Sequence, residues 1–112
     1  MLNFINWITS GFGSEVIEPI TASRRSPQWA DVRKGKLKAS PKCAACQSVT
    51  NLEVHHVVPY HVSPEMELLE GNLISLCREC HFTFGHLKDW TSWNAAVRSD
   101  CSRFANQRAA RP

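Results

Sequence analysis

The stretch Leu52-Glu53-Val54-His55-His56-Val57-Val58-Pro59 decides how the rest of the chain is read, because two adjacent histidines sit in a run of β-branched residues between two Cys-x-x-Cys pairs. Such a run favours a pleated strand. Upstream lies Cys43-Ala44-Ala45-Cys46; downstream lies Asn72-Leu73-Ile74-Ser75-Leu76-Cys77-Arg78-Glu79-Cys80-His81, so a further histidine follows the second pair directly. Strict alternation sends Leu52, Val54, His56 and Val58 to one face of the strand and Glu53, His55 and Val57 to the other. Both imidazoles then serve one site only if a bulge, or an early end at His56 helped by Pro59, re-aims one of them.

A chain of 112 residues makes one domain with a modest core. It has five cysteines but no basic segment leading into an uninterrupted apolar run with a cleavage site, which favours a reduced, cytoplasmic setting over a disulfide framework. Two Cys-x-x-Cys pairs thirty residues apart then read as four thiolate ligands of a tetrahedral zinc: Cys43, Cys46, Cys77 and Cys80. Cys101 is left over and reads as a small buried apolar residue. Zinc held by four cysteines has no open position, so it can fold the protein but cannot activate water. Any catalysis must come from the histidines. Imidazole titrates near neutral pH and, when neutral, binds divalent metals, so His55, His56 and His81 can supply both a base and ligands.

The net charge is only +3, yet seven basic residues and a single acid, Asp31, lie between Arg24 and Lys42. That asymmetry suits a polyanion. Ser26 and Pro27 open a helix over 28–39 that ends near Ser40-Pro41. Its Trp29, Val32 and Leu37 form a loose apolar stripe. The other face carries Arg33, Lys34, Lys36 and Lys38, which with Arg24 and Arg25 are the candidate DNA-backbone contacts; the alternative is a merely solvated basic face. Residues 59–71 read as a long loop with a helical turn, in which His61 has no catalytic part. Residues 73–76 read as a second strand, and a helix is expected to begin at Cys80 or His81. The end of the chain reads as a helix over about 95–105 whose Val97, Cys101 and Phe104 cover the core. The first twenty residues are too polar to span a bilayer and read as a short amphipathic helix with no chemistry assigned.

The order Cys-x-x-Cys, Val-His-His-Val, Asn-Leu-Ile-x-Leu-Cys-x-x-Cys-His resembles the HNH endonuclease family, over about Ser26 to Trp93. The strings Cys80–Leu87 and Trp90–Asn94 resemble small stand-alone HNH proteins of bacteriophages and prophages. The resemblance implies an α+β fold, a ββα-metal (His-Me finger) core with a structural zinc knuckle pair and flanking helices. It divides the chain into an extension over 1–23, a nuclease domain over 24–105 and a disordered tail over 106–112. It implies metal-dependent hydrolysis of DNA phosphodiester bonds, by nicking or double-strand cleavage, in a bacterial host's cytoplasm. His55 and His81 then bind the catalytic divalent ion, His56 is the general base, and Asn72 pins the loop that orients it. The ion is Mg²⁺ or Mn²⁺, with Ni²⁺ or Zn²⁺ as the alternatives. Packaging beside a phage terminase, homing and defence all fit. One departure stands out. Some relatives place another metal histidine one turn after the first, but position 85 is Gly and the histidine is His86, about 140° from His81 on an ideal α-helix. His86 joins the metal only if that helix is distorted or ends early; otherwise it is structural or faces a phosphate. The alternative to an enzyme is a zinc-ribbon module that binds nucleic acid without cutting it.

Overall fold

A computed structural model of the protein describes residues 25–110. The extension expected over residues 1–23, Arg24 and the last two residues lie outside that range. Helix α1 (Trp29–Ala39) is followed by strands β1 (Leu52–His56) and β2 (Leu73–Cys77), a short helix α2 (Arg78–Cys80) that passes directly into a π-helical turn (His81–Gly85), and helix α3 (Val97–Ala109). Two 3₁₀ turns, Pro64–Met66 and Glu70–Asn72, punctuate the loop between the strands. The small α+β architecture is the one the sequence implies. No helix among the described residues is long and apolar enough to cross a membrane.

The strands form an antiparallel pair with unbroken register from Leu52↔Cys77 to His56↔Leu73. No bulge interrupts it, so the expected re-aiming by a bulge does not occur. His55 and His56 instead point to opposite faces, and β1 ends at His56. The ladder is extended at both ends, by Val57 N–H to Asn72 O at 2.9 Å and by Arg78 N–H to Asn51 O at 3.1 Å. On the outer edge of β2, Ala44 N–H donates to Ser75 O at 2.9 Å, so the first Cys pair covers an otherwise open strand edge.

Helix α1 begins one residue later than expected because Ser26 caps the turn before it. The Ser26 hydroxyl accepts from Gln28 N–H and its carbonyl from Trp29 N–H, both at 3.1 Å. The helix closes at Ser40, whose N–H reaches Lys36 O at 2.8 Å, and Pro41 cannot continue it. Helix α3 runs past 105 to Ala109. Its last turn is tied down by Arg108, whose Nη1 donates to Cys46 O at 2.9 Å, so residues 106–109, expected in the tail, are helical.

The core consists of Cys43, Ala45, Ile74, Leu76, Cys77, Cys80, Val97 and Cys101, with Phe84 and Phe104 packed against it, their rings 5.2 Å apart. Cys101 is buried there and its thiol is pushed up to about 12, chiefly by burial, so it is an inert apolar filler. This core is small and half its fully buried members are cysteines. A two-stranded sheet is marginal in water without further support. A dication held by four thiolates contributes on the order of 10–16 kcal/mol in small metal-folded peptides, comparable to or above the whole stability of a typical domain. Cys77→Ser is therefore expected to unfold or aggregate the chain. Thermal melting alongside bound-metal analysis checks this: a cooperative melt near the parent's, with no metal at the sulfur cluster, would contradict it.

Candidate functional site

Three imidazoles meet where β1, the π-turn and the loop before α3 converge. The ring centroids of His55, His81 and His86 form a nearly equilateral triangle with sides of 4.9, 5.0 and 4.9 Å. Each ring is held by a different device. His81 Nδ1–H donates to Glu53 Oε1 at 2.7 Å, and Arg78 Nη1 donates to the other Glu53 oxygen at 3.1 Å. Partial burial works against the Glu53 charge, but the hydrogen bonds from His81 and Arg78 outweigh it and hold the carboxyl below its usual range. His86 Nδ1–H donates to Ser92 O at 2.7 Å. His55 is 2% exposed, and its Nε2 has no hydrogen-bond partner.

With Nδ1–H the donor on each ring, the Nε2 atoms of His81 and His86, which carry the lone pair in that tautomer, face each other 3.2 Å apart. Two lone pairs at that distance repel unless a cation lies between them. Burial lowers the affinity of His81 for a proton, and burial together with the neighbouring histidines brings His55 down to about 3. A proton is thus a poor occupant. A divalent ion fits, since Nε2 lone pairs can converge on it while outer partners fix the tautomers of His81 and His86.

The π-turn resolves the spacing of His86. His86 N–H bonds to His81 O at 3.1 Å, an i→i+5 closure that widens the turn and brings the fifth residue back over the first. The distortion on which a place for His86 beside His81 depended is therefore present. Asn94 holds the far end: its N–H donates to Gly85 O at 3.1 Å and its amide to Phe84 O at 2.9 Å, while its Oδ1 accepts from Ala96 N–H at 2.9 Å. Gly85 is demanded by proximity, since a Cβ there would lie 3.0 Å from two atoms of the His55 ring.

His56 stands apart from this triangle. Its Nε2 lies 2.9 Å from Glu67 O, and because a carbonyl can only accept, Nε2 carries the proton. Burial keeps the ring below its ordinary pKa despite that bond, so it is neutral at pH 7 with its lone pair on Nδ1. Trp29 packs on the ring at 4.6 Å. The carbonyl that holds it belongs to a loop clamped by the buried Asn72. Asn72 Oδ1 accepts from Val58 N–H at 2.8 Å, and Nδ2 donates to Val58 O and Met66 O, both at 3.1 Å. The Glu67 carboxylate accepts from Ser26 N–H at 3.1 Å and Arg25 at 3.4 Å. His55, His56, His81 and His86 all line one cleft of about 450 Å³ with Arg25, Tyr60 and Trp90, and the loop residue His61 reaches its wall as well. It wraps the end of β1, so adjacent residues on opposite faces reach it together.

Cys43, Cys46, Cys77 and Cys80 form a second cluster, with Cys46 and Cys77 sulfurs 3.6 Å apart. Burial opposes a Cys43 thiolate, but N–H groups of Cys46, Cys77 and Ala45 bring it down to about 7. Burial and the neighbouring sulfurs push Cys80 far above the usual thiol range. Four sulfurs this close cannot all ionise without a cation among them, and the set suits a metal ion such as zinc.

Of the basic candidates, Arg25 is drawn towards the cleft by Glu67 and lies over the Tyr60 ring at 4.9 Å. Lys36 is 10% exposed and paired with Glu70 at 2.9 Å. Arg33, Lys34 and Lys38 are exposed and make no ion pair among the described residues. The sequence reading gave Glu53, Asn94 and Trp90 no role in the site. Alternation had already put Glu53 on the face of His55, which was the available signal. Trp90 meets His81 edge-on and packs at a tilt against His86 and Phe82, under Arg78 at 4.8 Å, yet remains 45% exposed at the cleft.

Residues 43–86 match the family model described as HNH endonuclease, a span that begins at the first cysteine and ends at the third histidine of the triangle. No curated protein and no solved structure matches the chain. The Gly85 contact yields a direct test of the triangle. Gly85→Ala should displace the His55 ring by a few tenths of an ångström and weaken divalent-ion binding there by roughly 10–100-fold, the loss typical of a disturbed ligand shell. Calorimetric titration with Ni²⁺, on protein already loaded at its sulfur cluster, measures it; unchanged affinity would contradict the tight seating of His55 against Gly85 at the ion site.

Proposed function

The chain carries an HNH endonuclease domain over residues 43–86, and from that premise we propose that it hydrolyses DNA phosphodiester bonds using one divalent ion and one histidine base. The observation that carries the reading is the division of labour in the cleft: three imidazoles converge on one point, and a fourth, held by a backbone carbonyl, keeps a free Nδ1 lone pair. His56 takes the proton of the attacking water on Nδ1. Its Nε2–H stays on Glu67 O throughout, so the imidazolium that forms is stabilised and correctly oriented. Asn72 acts as a positioning residue, because it fixes the loop that presents that carbonyl.

His55, His81 and His86 hold the catalytic ion. When bound, the ion neutralises charge on the scissile phosphate and the leaving oxygen. An imidazole-only donor set suits Ni²⁺ or Zn²⁺ better than Mg²⁺. Cys43, Cys46, Cys77 and Cys80 hold a structural zinc. Arg24, Arg25, Arg33, Lys34 and Lys38 are the candidate phosphate contacts, which fix the duplex by its backbone and carry little sequence preference. The likeness of Cys80–Leu87 and Trp90–Asn94 to stand-alone phage proteins supports a role in phage DNA packaging or processing, with a terminase as the partner.

Plasmid cleavage measured against metal concentration separates the roles. His56→Ala should lose about 10²–10⁴ in rate at every metal concentration, the worth of a positioned base, while keeping its sulfur-bound metal and melting temperature. His55→Ala and His81→Ala should instead raise the metal concentration required, so that added ion restores part of the rate. Rescue of His56→Ala by metal, with none for His55→Ala, would exchange the two assignments. Full activity in all three variants would remove the active site from this cleft.

A further inference from the structure

A second cavity, of about 280 Å³, opens at the edge of β2 and shares no lining residue with the histidine cleft. Its wall carries Lys36 from α1, Lys42 from the link to the first Cys pair, Arg98 from α3 and Ser75 from β2, and no acidic residue. We propose that this cavity is a binding site for a phosphate group.

Arg98 is held in place by its Nη2, which donates to Gly71 O and Leu73 O, both at 2.8 Å. Those two bonds occupy both hydrogens of Nη2 and leave Nε and Nη1 for a ligand. Lys36 is fixed from outside by Glu70, whose side chain is 75% exposed. Lys42 is exposed and makes no ion pair among the described residues. Ser75 supplies the independent observation. It is 2% exposed, its backbone carbonyl is used by Ala44, and its buried hydroxyl has no partner. A buried hydroxyl without a partner is unfavourable, and three cations in the wall of one cavity are completed by an anion that accepts hydrogen bonds from several directions. Tetrahedral phosphate does that. The planar fork of Arg98 suits it, and the Lys42 ammonium adds charge.

The ligand is a phosphate of DNA or the phosphate of a soluble nucleotide, and these share the chemistry described. The test follows the backbone amide signals of Ser75, Lys42 and Arg98 in isotope-labelled full-length protein, titrated with inorganic phosphate, with AMP and with a short DNA duplex. The duplex arm uses the His56→Ala chain, so that no cleavage intervenes. Saturable shifts with phosphate that weaken about tenfold in Lys42→Gln, the worth of one charge-assisted hydrogen bond, support the site. Shifts of the same signals by the duplex identify its backbone as the source, whereas shifts by AMP alone identify a soluble nucleotide. Absence of a saturable shift with all three, or binding undiminished in Lys42→Gln, overturns the proposal. Because the readout is binding away from the histidines, a chain that cleaves nothing can still pass.

Discussion

The structure depends on four sulfur atoms gathered at one point by residues distant in sequence. Cys43 and Cys46 cover the edge of β2, Cys77 ends that strand, and Cys80 closes the short helix after it. The two strands have five residues each, too few to specify their own register against water. Fixing the end of β2 fixes the register of β1 through the ladder, and with it the positions of His55 and His56. It also fixes where the next helix begins. Cys80 turns into the core and the adjacent His81 turns to the cleft, so the sulfur cluster sets the geometry of the histidine cluster without contributing a ligand to it.

From that anchor the cleft is built by backbone groups as much as by side chains. Glu67 O sets the tautomer of His56, Ser92 O sets that of His86, and the two asparagines hold the segments that carry or flank these carbonyls. Both asparagines are buried and each satisfies several main-chain groups that would otherwise be unpaired. The π-turn belongs to the same scheme. Its i→i+5 closure is a poor way to make a helix but brings His81 and His86 onto one side, and Gly85 leaves room behind them for His55.

The four-cysteine cluster, the two strands, the helix carrying basic residues and the roles of His55, His56 and His81 as cleft residues were legible in the sequence because each rests on residue type and short spacing. The position of His86 was legible only as a condition, since an α-helical count of five residues points it away from His81 and nothing in His81-Phe82-Thr83-Phe84-Gly85 announces a π-turn. Glu53 could have been found by carrying alternation one step further, from His55 to its neighbour on the same face. The carbonyls of Glu67 and Ser92 could not, because every residue has one and only the tertiary fold selects among them. Of the two routes expected to bring both histidines to one site, the bulge is absent and the early end is present: β1 stops at His56, and the cleft wraps that end and receives one histidine from each face.

The proposed function needs two metal ions in chemically distinct sites, four sulfurs for folding and three imidazoles for chemistry. Titration of metal-free protein with Co²⁺, followed by absorption spectroscopy, tests it directly. Two equivalents should bind: the first with intense thiolate-to-cobalt charge transfer and tetrahedral d–d bands, the second with nitrogen-dominated spectra and no further thiolate band, the latter lost in His55→Ala. Saturation at one equivalent, or a second equivalent indifferent to His55, would contradict the account.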